Sequence, residues 1–273
     1  MATTRQANQS DEQLTGSVLK ALAILECFTG HKEPQSPAEI AAQVGTSRPT
    51  AYRLLATLAS EGWVMQDTSN PSKYRLGYKL LQIAGAYLEE QDLWQVARPT
   101  MEALCRRFNE TVKLWVLDDV EVVYLGRVTG SAPLQSVMPI GSRGYLHSRA
   151  VGKAILAHLS EAEVNRIAQA SGLQKRTAWT VTDLEQLRSE LEQVRQRGYA
   201  VSDQEDVEGL RAVGAAILNL EGRPVGGLVM SNLVSYMPQE RLATLGEALA
   251  EGCRQISRQL GYFGSESEYL LKK

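Results

Sequence analysis

The sequence is poor in cysteine and histidine, with three of each in 273 residues. Cys27, Cys105 and Cys253 lie far apart, so they offer neither a short disulfide-closed loop nor the closely spaced pair that a structural zinc site needs. The three histidines are equally scattered. We therefore expect free, buried thiols, no metal site and no cofactor.

Long apolar runs and a strong net charge are also missing. No hydrophobic segment approaches the roughly 20 residues that span a bilayer, and the first residues lack the apolar block of a signal peptide. The sequence thus predicts a soluble cytoplasmic protein with no membrane partner. Its net charge is only −2, so any affinity for nucleic acid must come from a local basic patch.

The common catalytic motifs are absent too. The sequence contains no glycine fingerprint for nucleotides, no Walker motif and no G-x-S-x-G elbow. Ser17 and Lys20 have the SxxK spacing, but on an amphipathic helix they form a solvated face. The acidic segment 203–208 could serve acid chemistry or hold a cation, although a charged loop that docks on a basic helix end or simply stays solvated is the simpler interpretation. We therefore predict no catalytic residues and no enzyme activity.

What the sequence does contain is a helix-turn-helix pattern at residues 36–65, SPAEIAAQVGTSRPTAYRLLATLASEGWVM. A short helix capped by Ser36, a turn at Gly45 and a second helix capped by Ser47 follow one another without slack. This arrangement is typical of a motif whose second helix enters the DNA major groove. The predicted DNA-facing side chains are Ser47, Arg48, Thr50, Tyr52 and Arg53.

The residues after this motif predict a wing. Segments 63–66 and 73–76 have the composition of two short strands, joined by the turn DTSNPS. Residues 45–80 carry five basic and two acidic side chains, a local excess that suits a phosphate backbone. Lys73 and Arg75 are the predicted wing contacts. The alternative is a helical hairpin that serves only packing, and the wing and the basic residues argue against it.

The length suits two domains. The expected organisation is a disordered tail at 1–13, a winged helix-turn-helix domain at 14–77, a linker helix at 78–91, a larger domain at 92–262 and a C-terminal tail at 263–273. The first helix of the smaller domain is expected to bury one apolar stripe against the others. That stripe comprises Val18, Ala21, Leu22, Leu25 and Phe28.

The larger domain is predicted to be α+β. Its expected strands are 112–117, 121–128, 134–139, 199–202, 211–220 and 224–231. Helices are expected at 150–158, 161–170, 182–197 and about 238–260. A capping box is expected at Thr182 and Glu185, and a break or kink at Pro99 in an earlier helix. Strands in hairpins with helices gathered between them indicate an antiparallel sheet.

Over about residues 15–260 the chain resembles the IclR family of bacterial transcription regulators. The resemblance rests on RLLATLASEGWV in the winged helix, HSRAVGKAILA at 147–157, RGYAVSDQEDVEGLRAVGAAI at 197–217 and RPVGGLVMSN, in the family's order and spacing. It implies an N-terminal winged helix-turn-helix, a linker helix and a C-terminal GAF-like effector-binding domain. The implied partners are a double-stranded DNA operator, a small-molecule effector and further copies of the chain, as a dimer or tetramer.

The resemblance also implies a pocket. In family members that sense small 2-oxo acids, the corresponding positions hold an acid, a thiol and serines, which here become Ser202, Ala212, and Val229 with Ser231. Ala150 and Val151 occupy the turn before Gly-Lys. Because an acid, a thiol and one serine have been replaced, the pocket is less polar than in those members. An apolar wall favours a ligand with apolar area to bury, so we expect an aromatic compound or aromatic acid.

Further wall residues follow from that expectation. The candidates are Trp115, Tyr124, Leu134, Met138 and Tyr145. Arg149 has two interpretations: it pairs with an effector carboxylate, or it is a surface arginine in a turn that leads into a helix.

The leading hypothesis is a ligand-responsive transcription regulator, a repressor of a catabolic operon for aromatic compounds, whose linker helix transmits effector binding to the DNA-binding domains. Two alternatives remain. One is a small-molecule enzyme with a vestigial DNA-binding domain, which would need a convergent nucleophile, base and acid. The other is a constitutive DNA-binding protein, which would need a closed pocket.

Overall fold

The computed structural model describes residues 14–29, 33–90, 92–131 and 138–263. The chain divides into two compact units, an N-terminal unit of residues 1–90 and a C-terminal unit of residues 91–273. Each has its own hydrophobic core. Within the described residues, no helix combines the length and the apolar character that crossing a membrane requires.

The N-terminal unit is a helical cluster with a two-stranded sheet. Its elements are α1 (Gly16–Glu26), α2 (Pro37–Val44), α3 (Arg48–Ser60), β1 (Val64–Gln66), β2 (Tyr74–Leu76) and α4 (Lys79–Glu90). Ser36 begins α2 with a reciprocal cap: its hydroxyl accepts from the Glu39 N–H, and the Glu39 carboxylate accepts from the Ser36 N–H at 2.7 Å. Gly45 ends α2 in the left-handed region with φ 67°. The helix-turn-helix and the wing are thus both present.

The first helix buries only part of the expected stripe. Ile24 and Phe28 lie in the core beside Ile40 and Leu55, whereas the predicted stripe residues Val18 and Leu22 are 54% and 52% exposed. The residues that pack in this core lie at the C-terminal end of α1 and just beyond it, whereas Val18 and Leu22 lie further from that end and remain exposed. The prediction of one buried stripe was wrong for these two residues.

The C-terminal unit is an α+β domain built on one antiparallel sheet. Its elements are α5 (Asp92–Phe108), β3 (Val112–Asp118), β4 (Glu121–Val128), β5 (Arg143–Tyr145), α6 (Ala150–Leu156), α7 (Glu161–Ser171), α8 (Leu184–Arg197), β6 (Ala200–Asp203), β7 (Leu210–Leu218), β8 (Pro224–Leu233) and α9 (Gln239–Gln259). The strand order is β5-β4-β3-β8-β7-β6, with antiparallel neighbours throughout. This confirms the predicted fold class.

Helices cover both faces of this sheet. α5 and α9 pack against each other and against β3 and β7, while α6 lies on the other face in contact with β6, β7 and β8. Two glycines let α6 approach so closely. A Cβ on Gly214 would lie 2.7 Å from the backbone nitrogen of Val151, and one on Gly227 would lie 2.8 Å from the Val151 side chain. The start of α6 is therefore fixed directly above the centre of the sheet.

Two strand and helix predictions need correction. Part of the predicted strand at 134–139, residues 134–137, lies outside the described residues, and Met138 and Pro139 are not in a strand. The outer neighbour of β4 is β5, where Glu121 faces Tyr145. α5 also runs through Pro99 as one helix, so the predicted break is absent, while the alternative of a kink at this residue stays a prediction.

The N-cap of α8 differs from the prediction by one residue. Asp183 begins the helix, since its Oδ1 accepts from the Gln186 N–H at 2.8 Å. The capping box expected at Thr182 is therefore wrong by one residue.

The three cysteines were expected to be free and buried. Cys105 and Cys253 are buried, Cys27 is half-buried, and all three thiols are free.

Candidate functional site

The first candidate site is the outer face of α3. Ala51 and Leu55 turn inward, which leaves Arg48, Tyr52 and Arg53 exposed, with 58% of Tyr52 accessible. Ser47 and Thr50 stand at the start of the helix. The Ser47 hydroxyl accepts from the Thr50 N–H and lies 2.9 Å from the Thr50 hydroxyl. These two residues therefore hold the first turn and also present hydroxyl groups at its outer edge. The hydroxyl groups of Ser47 and Thr50 lie at the N-terminal end of α3, and the guanidinium groups of Arg48 and Arg53 lie on its exposed face.

A groove runs between α3 and the wing. It is lined by Arg48, Tyr52 and Arg53 on one side and by wing residues such as Gln66 and Ser72 on the other. Exposed guanidinium, phenol and amide groups along a groove can bind phosphate oxygens and base edges. Arg48, Tyr52 and Arg53 thus come together beside the wing.

The two predicted wing cations, Lys73 and Arg75, differ from the arginines of α3 in burial and ion pairing. Arg75 forms an ion pair with Asp67, whose side chain is completely buried. Asp67 also accepts from the backbone N–H groups of Ser69 and Asn70 at 2.9 Å each. Arg75 therefore contributes to the wing turn itself. Lys73 is half-buried at the base of the same turn.

The second candidate site is a cavity between the sheet and the start of α6. Its floor is set by the strand register: Lys113 pairs with Val229 across β3 and β8, and Ser202, Ala212 and Ser231 are paired across β6, β7 and β8. Paired residues of neighbouring strands point to the same face. These side chains therefore form one continuous floor beneath α6.

The cavity has an internal volume of about 100 Å³. Its walls are mostly apolar, and its polar groups come from β3, β6, β8, the loop after β6 and the start of α6. The described residues that line it are Lys113, Trp115, Met138, Arg149, Ala150, Val151, Ser202, Asp206, Val207, Leu210, Ala212, Val229 and Ser231.

Nine of the twelve effector-site residues expected from the sequence lie on this cavity. Leu134 lies outside the described residues. Tyr124 does not line the cavity, because it sits on β4 beside Trp115, with ring centroids 5.3 Å apart, one strand further out. Tyr145 does not line it either, since it lies on the edge strand and donates from its hydroxyl to Gln174 at 2.9 Å.

Arg149 is held at the cavity wall by two contacts. Its guanidinium is 2.9 Å from an Asp206 carboxylate oxygen and lies 4.7 Å from the centroid of the Trp115 ring. Only 17% of the side chain is exposed. Burial lowers the pKa of Arg149, and the Asp206 charge opposes that effect. The interpretation as an ordinary surface arginine is therefore wrong.

The acidic segment 203–208 docks on basic residues of and around α6. Lys153 is buried and its ammonium contacts both Glu205 oxygens at 2.6 and 2.8 Å and a Glu190 oxygen at 2.9 Å. Together with the Arg149 contact to Asp206, this fixes the segment over the cavity mouth. Within the described parts of the chain, no three His, Cys, Asp or Glu side chains come together as a metal-ion site would need.

Four lining residues were not anticipated from the sequence: Lys113, Asp206, Val207 and Leu210. Lys113 could have been found, because it lies two positions before Trp115 on one strand and alternation places both on the same face. Asp206 and Val207 sit in an irregular loop. For a loop, no periodicity connects sequence position with direction.

Comparisons with known proteins agree with this architecture. The family model described as the IclR helix-turn-helix domain matches residues 17–68, and that of the bacterial transcriptional regulator IclR C-terminal matches residues 85–258. The solved structure of the Thermotoga maritima IclR is 31% identical, with a TM-score of 0.78 over 90% of this chain and 99% of that chain.

Two relatives from Escherichia coli (strain K12) have similar length and organisation. The HTH-type transcriptional regulator XynR is 34% identical over 246 residues, covering 90% of this chain and 97% of XynR. The HTH-type transcriptional repressor AllR is 31% identical over 242 residues, covering 89% of each chain. Both names describe regulators of transcription rather than enzymes.

Proposed function

The chain belongs to the IclR family of ligand-responsive bacterial transcriptional regulators, and we propose that it represses a catabolic operon and responds to an aromatic acid. The observation that carries this proposal is the pairing of two sites in one chain. One is an exposed cationic groove beside a wing, and the other is a mostly apolar cavity with a few polar groups.

The DNA contacts are assigned to the start of α3 and to the wing. Arg48 and Arg53 are exposed and, within the described residues, neither forms an ion pair, so both are free to meet phosphates or guanine edges. Tyr52 offers its ring and hydroxyl between them. Ser47 and Thr50 supply hydroxyl contacts, and Lys73 with Arg75 supplies positive charge from the wing.

The effector is assigned to the cavity between β3, β8 and α6. A cavity of roughly 150 Å³ holds benzene in another protein, so a volume of about 100 Å³ that opens to solvent suits a single ring with a polar substituent at the mouth or floor. Trp115, Val151 and Val229 offer apolar surface for the ring. Since Ser202 and Ala212 replace more polar groups, a small hydrophilic acid gains little there.

Self-association is part of the proposal. Leu14, Val18 and Leu22 on and before α1, and Leu81 and Ile83 on α4, are exposed by 44% to 68%. A dimer that covers such apolar helix faces would place two α3 helices on two operator half-sites. The domain limits expected from the sequence, with a linker helix at 78–91, give that dimer a route for effector binding to change the placement of the DNA-binding domains.

Repression is proposed because AllR, which is 31% identical over nearly the whole chain, is named a repressor. The open cavity argues against the constitutive alternative, since a protein without an effector has no need of it.

A gel-shift assay with the full-length protein tests the proposal. The DNA upstream of the protein's own gene should be retarded specifically at fixed salt, and benzoate or a substituted benzoate should change that retardation. An Arg48→Ala/Arg53→Ala double variant serves as the control that removes the groove cations. If the upstream DNA competes no better than unrelated DNA, the proposal that the protein regulates this locus is contradicted. If no aromatic acid changes the retardation, the proposed class of effector is contradicted.

A further inference from the structure

Lys113 is a buried cation on the cavity floor. Its side chain is 5% exposed, and its ammonium donates to the Ser231 hydroxyl at 3.0 Å. Both residues line the cavity. Within the described residues, no carboxylate forms an ion pair with this ammonium. In the part of the chain that the structure describes, the Ser231 hydroxyl is therefore the only side-chain hydrogen-bond partner of this ammonium.

Such a group is unfavourable in the empty cavity. A buried ammonium loses most of its hydration, and a hydroxyl group compensates only in part. The cations nearest to it, Arg127 and Arg149, add repulsion. Burial first, and these two charges second, lower the pKa of Lys113 to about 8. The fold itself gains no stability from a charged lysine at this position.

The second cation in the cavity, Arg149, is in a different state. Its guanidinium is already paired with Asp206 at 2.9 Å and stacked on Trp115. An effector carboxylate would have to compete with Asp206 for it. The charges that line the cavity are therefore Lys113, Arg149 and Asp206, which sum to one positive charge, and that charge is located at Lys113.

We propose that Lys113 is the residue that binds the effector's carboxylate, and that the effector is consequently a monocarboxylate with its ring packed against Trp115 and Val229. This rests on the proposed function and assigns the ligand group within the same cavity. Arg149 then acts as a fixed wall that orients the ring. A dicarboxylate would leave one charge unpaired in an apolar site, and a neutral amide would leave Lys113 without a counter-charge.

Proton uptake follows from this assignment. A bound carboxylate favours the charged ammonium and raises the pKa of Lys113, so binding takes up protons when the empty site is partly neutral. The other charged groups around the site are Arg127, Arg149 and Asp206, and Asp206 is paired with Arg149. Burial raises the pKa of Tyr124, which neighbours Arg127. Affinity for the carboxylate should therefore be constant below pH 8 and fall as pH rises through it.

Calorimetry on the full-length protein tests the assignment with four probes: benzoate, benzamide, phenylacetate and pyruvate. The wild type should bind one or both aromatic acids, and benzoate should bind at least about tenfold more tightly than benzamide. Lys113→Met should weaken the aromatic acid about 10- to 100-fold, as expected for loss of a hydrogen bond to a charged group, while Lys113→Arg should restore part of it. Lys175→Met is the matched control, because Lys175 is an exposed lysine of the same unit.

Folding does not confound this test, since removal of a buried unpaired charge should leave the melting temperature of Lys113→Met equal or higher. Equal affinity of wild type and Lys113→Met for the aromatic acid, or equal affinity of benzoate and benzamide for the wild type, would overturn the assignment while leaving an aromatic effector in place. Pyruvate binding that depends on Lys113 would support the contact between Lys113 and a carboxylate, and it would overturn the proposal that the effector carries an aromatic ring. Binding of none of the four probes would overturn both proposals.

Discussion

The two units treat their cations in opposite ways. In the N-terminal unit, Arg48 and Arg53 stand exposed on α3, and neither is ion-paired within the described residues. In the C-terminal unit, the cations around the cavity are buried and paired: Arg149 with Asp206, and Lys153 with Glu205. Charge is available to an outside partner in the first unit and is used to build the cavity in the second.

This difference follows from the cost of moving a charge out of water. An exposed guanidinium that meets a phosphate breaks no internal pair and releases counterions. A buried ammonium must be compensated inside the protein, and once paired it fixes the segment that carries its partner. Each unit also has one exception. Arg75 in the wing is paired with buried Asp67, and Lys113 in the cavity has no carboxylate partner among the described residues.

The largest effect is expected from Lys153→Met. This change leaves the buried Glu205 carboxylate without its ammonium, which should lower the free energy of unfolding of the C-terminal unit by about 3–5 kcal/mol. Denaturant unfolding followed by tryptophan fluorescence measures it. The matched control is Arg166→Met, since Arg166 and Asp119 form a pair at 2.8 Å that is largely exposed, and such pairs contribute about 0–1 kcal/mol. Similar losses for both variants would contradict the distinction between buried and exposed ion pairs on which the comparison of the units rests.

The loss in Lys153→Met should depend on pH. Burial raises the pKa of Glu205 to about 7 even with Lys153 present, and loss of the ammonium raises it further. A carboxyl group whose pKa is higher in the folded state binds a proton on folding, so stability falls as pH rises from its ordinary value of 4.5 through the raised one. The deficit of the variant should therefore be larger at pH 8 than at pH 6. A deficit that shrinks at pH 8 would show that Glu205 is not the residue left unpaired.

A smaller effect, on DNA affinity rather than stability, is expected from the exposed arginines. Arg48→Ala and Arg53→Ala should each weaken operator binding by about 1–3 kcal/mol, and a residue that contacts phosphate should also reduce the salt slope by about 1. Fluorescence anisotropy at several salt concentrations separates the two roles. Arg106→Ala changes an exposed arginine of the C-terminal unit and should leave both quantities unchanged. An equal loss for Arg106→Ala would mean that general positive charge, not the groove, binds DNA.

The fold was largely predictable because its signals are local. Ser36, Gly45 and Ser47 mark helix ends through their own hydrogen bonds and backbone angles, and period-two alternation marks the strands. The buried face of α1 was not predictable in the same way. Its apolar residues cover more than one face, so Val18 and Leu22 could be separated from Ile24 only by knowing where α2 and α3 lie.

The cavity was found by a different route. Its residues on β6, β7, β8 and at the start of α6 were expected because the family resemblance placed them by position in the sequence, whereas the strand residues Lys113 and Leu210 were missed. Asp206 was missed as a lining residue, since its direction depends on the Arg149 contact, which joins residues distant in sequence. Tyr124 was a candidate wall residue, yet it lies on the strand outward from Trp115 and does not line the cavity.

The smallest expected effect concerns helix capping by a serine, a role that occurs in both units. Ser47 and Ser160 each cap a helix, accepting from the N–H of Thr50 and Glu163, so substitution by alanine should cost about 1 kcal/mol of local stability at either site. Hydrogen exchange in the first turns of α3 and α7 should rise in the respective variants. Only Ser47→Ala should also weaken DNA binding, by less than either arginine variant, because its hydroxyl lies at the groove end of α3. If both serine variants bind DNA as the wild type does, Ser47 serves the helix alone and the DNA contacts begin at Arg48.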